Sequence, residues 1–131
     1  MWYGRTREVL DIAAELAGNP DGCTVVPGEG QRLPAAGYVV GQRGISGELG
    51  VIDIAEWVER ELPRVIGQRE YFGAWTDRET GVIYLDVVKI FSEFVPACRD
   101  ADKRGELAIW DLAGQREIRA AEYAPQYRLV L

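Results

Sequence analysis

Arg69-Glu-Tyr-Phe-Gly-Ala-Trp-Thr-Asp-Arg-Glu-Thr-Gly-Val-Ile-Tyr-Leu-Asp-Val-Val88, continued by Gly105-Glu-Leu-Ala-Ile-Trp-Asp-Leu112, is the stretch that decides the fold. Asp77-Arg-Glu-Thr-Gly81 separates two β-rich runs and puts glycine where a left-handed residue closes a type I turn with a bulge, which predicts a hairpin over 71–88. In its second strand Ile83, Leu85 and Val87 alternate with Tyr84 and Asp86, so the first set is assigned to the core. Residues 107–112 read as a further strand, with Leu107 and Ile109 on one face and Ala108, Trp110 and Leu112 on the other. Apolar on both sides, it is expected to be central or covered by a helix. Between these strands Pro96 marks the first position of a short helix running to Arg104 and ended by Gly105. A turn over Asp111 to Gln115 then lets Glu117-Ile-Arg119 pair back.

Working outward, Val9, Leu10, Ala13, Leu16 and Ala17 recur at helical spacing between an N-cap at Thr6 and a stop at Gly18. Cys23-Thr-Val-Val26 is a short strand ending at Pro27-Gly28. Residues 28–50 hold seven glycines and one proline, interrupted only by the β-like Gly37-Tyr-Val-Val-Gly41, and read as a glycine-rich loop or a loosely structured hairpin. A second helix starts at Asp53, with Glu56 completing a capping box, and lines up Ile54, Trp57, Val58, Leu62 and Val65. Pro63 predicts a kink or an end near Glu61. The segment 122–131 reads as an extended tail, either an edge strand or a partner-binding extension. The fold class is therefore α+β: a small, mainly antiparallel sheet, made of the hairpin 71–88 and the strand 107–112, packed against two to three helices in a single globular domain over 1–131.

Composition bounds the function classes. The length suffices to bury about two thirds of the unfolded surface, and 47% hydrophobic residues sit in the globular range. Two cysteines, Cys23 and Cys98, are too few for a disulfide framework. The charged amino-terminal run does not fit a signal peptide and no segment has the length of a membrane span, so the expected location is cytoplasmic. Fifteen basic against 21 acidic residues give a net charge of −6. With Lys103-Arg104 the only adjacent basic pair, direct nucleic-acid binding is not expected. The same acidity suits either solubility alone or docking onto a basic protein.

Histidine is absent, which removes Ser-His and Cys-His pairs, histidine bases and nearly all catalytic zinc sites. Gly28-Glu-Gly30 lacks the rest of a dinucleotide fingerprint and no P-loop is present, so no cofactor is expected. Cys98, within the short helix, suits packing as a buried inert thiol. Asp86 stands mid-strand, where aspartate is disfavoured. Either its face is solvated and it pairs with an arginine, or it joins a second acid such as Asp111, with Tyr84 nearby, in a carboxylate-dependent enzyme or metal-binding domain. Tyr71, Trp75, Tyr84 and Trp110 are expected on one side of the sheet, where they are core beneath the second helix with Trp57 or an exposed hot spot for a protein. Trp2 and Tyr3 mark a docking or dimer contact.

The pattern Tyr71-Phe-Gly-Ala-Trp-Thr-Asp-Arg-Glu-Thr-Gly-Val-Ile-Tyr-Leu-Asp-Val87, followed by Gly105-Glu-Leu-Ala-Ile-Trp-Asp-Leu112, resembles small uncharacterised proteins of actinobacterial phages and prophages. A composition in which Lys89 and Lys103 are the only lysines beside many arginines agrees with that source. The resemblance rests on packing residues and transfers no activity. It implies a setting in which proteins of this size commonly bind a host or phage protein. The expectation is thus a small acidic, non-enzymatic interaction module, with a basic host factor as a candidate partner and Trp2, Tyr3, Tyr71, Trp75, Tyr84, Asp86 and Trp110 as candidate contacts.

Overall fold

A computed structural model describes residues 7–19, 22–28 and 32–128, with side chains to residue 125. The order of elements is α1 (Arg7–Gly18), β1 (Gly22–Val25), β2 (Tyr38–Ser46), α2 (Val51–Gly67), β3 (Tyr71–Thr76), β4 (Ile83–Phe91), α3 (Phe94–Arg104), β5 (Ala108–Asp111), β6 (Arg116–Arg119) and α4 (Ala120–Arg128). The strands hydrogen-bond antiparallel in the order β1-β3-β4-β2-β5-β6, an α+β fold. Among the described residues no helix is long and apolar enough to cross a membrane. The described residues form two compact units, one drawn from 7–32 and 43–87 and one from 33–42 and 88–128.

In the first unit the hairpin turn forms where the glycine placed it. Gly81, at φ 73°, donates its N–H to the Asp77 carbonyl at 2.8 Å, and the Asp77 carboxylate accepts from the Thr80 hydroxyl and the Glu79 N–H. Alternation along β4 sends Leu85 and Val87 into the core with Phe72 and Ala74 of β3 and Val25 of β1, whereas Ile83, expected with them, is exposed at the start of the strand beside the turn. Onto that face α1 lays Val9, Ile12, Ala13 and Leu16, and α2 lays Ile54, Ala55, Trp57, Val58 and Val65. Trp57 meets Phe72 edge-on, with ring centroids 5.5 Å apart. β1 pairs with β3 in the register Gly22 with Trp75 through Val25 with Phe72.

Two expectations about α2 are corrected. The helix begins at Val51 rather than after Asp53, because the Asp53 carboxylate accepts the Gly50 N–H at 2.9 Å and so acts as the third residue of the helix instead of its cap. It also runs through Pro63 to Gly67, which excludes the end near Glu61 and leaves the alternative of a kink. One lost backbone bond is outweighed by buried Trp57 and Val58 before the proline and Val65 after it.

The second unit has its own core, in which Val40, Ile109 and Ile118 of the strands meet Ala97, Cys98 and Ala101 of α3 and Tyr123 of α4. Helix α3 starts at Phe94, so Pro96 is its third residue rather than its first, still within the turn whose N–H groups have no intrahelical acceptor. β5 pairs with β2 and β6, as an internal strand should, yet Trp110 is 38% exposed, so its second face is only partly covered. Residues 120–128 are helical where a tail extended from 122 was expected. Tyr123 is buried and donates its hydroxyl to the Glu106 carbonyl at 2.8 Å, an anchor no tail-like reading supplies. Residues 129–131 lie outside the described residues.

The glycine-rich stretch contains the nine-residue strand β2, longer than its β-like centre. Its glycines serve close approach as much as turning: a Cβ on Gly44 would run into the Leu85 carbonyl oxygen and the Asp86 carboxylate.

Candidate functional site

Asp86 faces away from the core of its unit, on the side of the sheet shared by Trp75 and Tyr84. Trp75 stacks on Tyr84 at 5.1 Å with the rings 18° from parallel, and its indole Nε1–H donates to Asp86 Oδ2 at 3.0 Å. This overturns the solvated pairing with an arginine: the partner is an indole, and no described cation pairs with the carboxylate. Burial pushes the Asp86 carboxyl up to about 6, against the opposing pull of the indole hydrogen bond. Packing of Trp57 against Phe72 also shows that Trp75 and Tyr84 are not the layer beneath α2. They lie half-buried on the opposite face, with Tyr71 half-buried two residues before Gly73 on the same side of β3.

The other nominated residues are dispersed. Asp111 belongs to the second unit, where its Oδ1 accepts the Gly114 N–H at 3.1 Å and organises the β5–β6 turn. Trp110 belongs to that unit as well, beside the Glu117–Arg119 ion pair at 3.1 Å. Trp2 and Tyr3 lie outside the described residues. Among the described residues no three Cys, Asp or Glu side chains converge as a metal set.

Two features escaped the sequence reading. The first is an ion cluster in the first unit: Arg43 of β2 holds Glu70 with both terminal nitrogens, at 3.1 and 3.2 Å, and Glu61 of α2 through Nε at 2.6 Å. Glu70 is 1% exposed, so this arginine supplies the charge that makes its burial tolerable. Nothing in the one-dimensional pattern pairs residues 18 and 27 positions apart. All three guanidinium nitrogens of Arg43 are engaged by the two carboxylates, which suits support better than ligand binding.

The second is an open groove of about 580 Å³ between α1 and the end of β1. Ile12, Val25, Val26 and Pro27 provide apolar lining, and Glu8, Asp11 and Glu15 form an acidic rim beside Arg7. The three acids stand at i, i+3 and i+7, hence on one face of α1, and span about 10 Å at 1.5 Å per residue. They are exposed, and none of their carboxylates shares a hydrogen bond or ion pair with a described residue. Burial, and then the nearby Glu15 charge, raise the Cys23 thiol of β1, opposing a backbone hydrogen bond from Ala74. The acidic spacing was readable as a helical stripe. That it borders an open sheet edge was not.

No family profile, no curated protein and no solved structure matches this chain.

Proposed function

We propose that this protein is a non-enzymatic binding module that docks a basic surface of another protein. The observation that carries the reading is the α1–β1 groove, where three carboxylates with no described partner stand over apolar lining. Exposed acids give long-range attraction and discrimination against acidic partners, while Ile12, Val25 and Pro27 offer surface for desolvation on contact. The net charge of −6 adds steering in the same sense. Taken with the phage-like pattern of residues 71–87 and 105–112, the reading is of an accessory protein acting on a host factor.

A carboxylate-based activity has one observation in its favour, the raised carboxyl of Asp86. Against it, the proposed second acid, Asp111, is spent on a turn in the other unit.

The test is affinity capture of the tagged protein from an actinobacterial lysate, at about 50 and about 500 mM salt, beside a Glu8→Lys/Asp11→Lys/Glu15→Lys variant. The reading expects one stoichiometric partner, held at low salt, weakened at high salt and lost by the variant. A partner retained equally by the variant, or no partner at either salt, overturns it.

A further inference from the structure

We infer that the open edge of β1 receives an extended segment of the partner protein as an added strand, with lysine or arginine at alternate positions facing α1. This rests on the protein-binding reading above and specifies how the partner is held.

Among the described residues β1 is a terminal strand of the sheet, paired on one side only, with β3. The Gly22 N–H donates to the Asn19 carbonyl at 3.3 Å, away from β3, which marks Gly22 and Trp75 as a pair that exchanges no hydrogen bonds. In an antiparallel ladder such pairs alternate with bonded ones, so Cys23 and Val25 bond to β3 while Thr24 turns its N–H and C=O to the open side. No described main-chain group from outside the ladder meets Thr24. Apart from the shortness of its four residues, Gly-Cys-Thr-Val carries none of the usual guards of an edge, a lysine, a proline or a bulge; Pro27 comes two residues later.

A strand added there lies about 4.8 Å outside β1 and turns every second side chain, about 6.8 Å apart, toward the α1 side of the sheet. That is the side where Val25 joins the core and where Glu8, Asp11 and Glu15 line the groove. Main-chain pairing with Thr24 would provide affinity that any extended peptide shares, and the acidic stripe would select the basic one. Charge also decides between occupants. Two copies of a chain at −6, pairing β1 with β1, would bring two acidic stripes together, whereas a basic segment neutralises one.

The test uses the full chain and a fluorescent heptapeptide alternating lysine and valine, with a second peptide N-methylated at every interior amide. Strand addition expects binding to the parent peptide that falls at least about tenfold on N-methylation and by a similar factor with Asp11→Lys/Glu15→Lys. It also expects exchange of the Thr24 amide, followed by NMR, to slow when the parent peptide binds. Equal binding of the N-methylated peptide, or an unchanged Thr24 amide, overturns strand addition. If the charge variant still weakens binding in that case, the acidic docking surface survives without it. Binding indifferent to both salt and charge reversal removes the docking reading as well. A dimer in sedimentation whose Thr24 amides are protected without peptide overturns the inference in favour of a second copy.

Discussion

Replacing Asp86 by asparagine should make this protein more stable at neutral pH and change the shape of its stability profile. The folded state holds the Asp86 carboxyl at about 6, against 3.8 for a free side chain, because burial penalises the charge and only the Trp75 indole compensates. A raised carboxylate value means that the folded state binds the proton more tightly than the unfolded one. Below about pH 4 both states are protonated and no penalty exists; it grows between about 4 and 6 and is complete above. A gap of about two pH units, at about 1.4 kcal/mol each, sets a ceiling near 3 kcal/mol. Asparagine keeps an oxygen that can accept the Trp75 N–H and cannot ionise, although its new N–H₂ group adds a pH-independent cost on the order of 1 kcal/mol if left unpaired. Urea unfolding of both proteins by tryptophan fluorescence, from pH 4 to 8, measures the difference directly. The variant should gain on the wild type by about 2–3 kcal/mol as pH rises through that window. A difference that stays flat from pH 4 to 8 would refute the burial argument, whatever its absolute value.

Three further outcomes follow from the packing. Gly44→Ala should cost on the order of 3 kcal/mol, read as a lower urea midpoint, since the new methyl meets the Leu85 carbonyl and the Asp86 carboxylate; a change below about 0.5 kcal/mol would contradict the close approach of β2 to β4 there. Arg43→Met strands the buried Glu70 carboxylate and should cost about 3–5 kcal/mol at pH 7, read as a lower urea midpoint; a change below about 1 kcal/mol would contradict the pairing. Cys98, fully buried and with its thiol pushed up to about 11, should resist alkylation in the native protein at pH 7.5 and react once urea unfolds it; rapid native labelling would place the thiol outside the α3 core.

Much of the fold was legible because the signals are local. The hairpin over 71–88 follows from one turn whose glycine needs a positive φ and from an alternation of period two, and both survive in the structure. The helix stops at Gly18 and Gly105 were legible for the same reason, since Gly18 closes α1 and Gly105 follows α3. Local signals misled where burial outweighed them. Pro63 does not end α2, because Val65 beyond it is fully buried, and the segment after residue 119 is helical around a buried Tyr123.

Of the candidate contacts, Trp75, Tyr84 and Asp86 were nominated by strand parity and are brought together, since residues two apart on a strand share a face and a cross-strand neighbour completes the set. Trp110 and Asp111 were not separable from them in one dimension, because parity says nothing about which strands adjoin. The acidic stripe on α1 was present in the spacing of Glu8, Asp11 and Glu15.

By itself the sequence determined what depends on neighbours along the chain: most of the element types, the turn, the alternation along β4, the charge and the absence of histidine. Only the tertiary structure decided that β1 is an edge strand beside that acidic stripe, that Glu70 is buried against Arg43, and that Asp86 meets an indole instead of a cation. Those pairings join residues far apart in sequence. Strand order, and with it every cross-strand neighbour, is selected by the burial of whole faces, a property of the assembled chain that no local window contains.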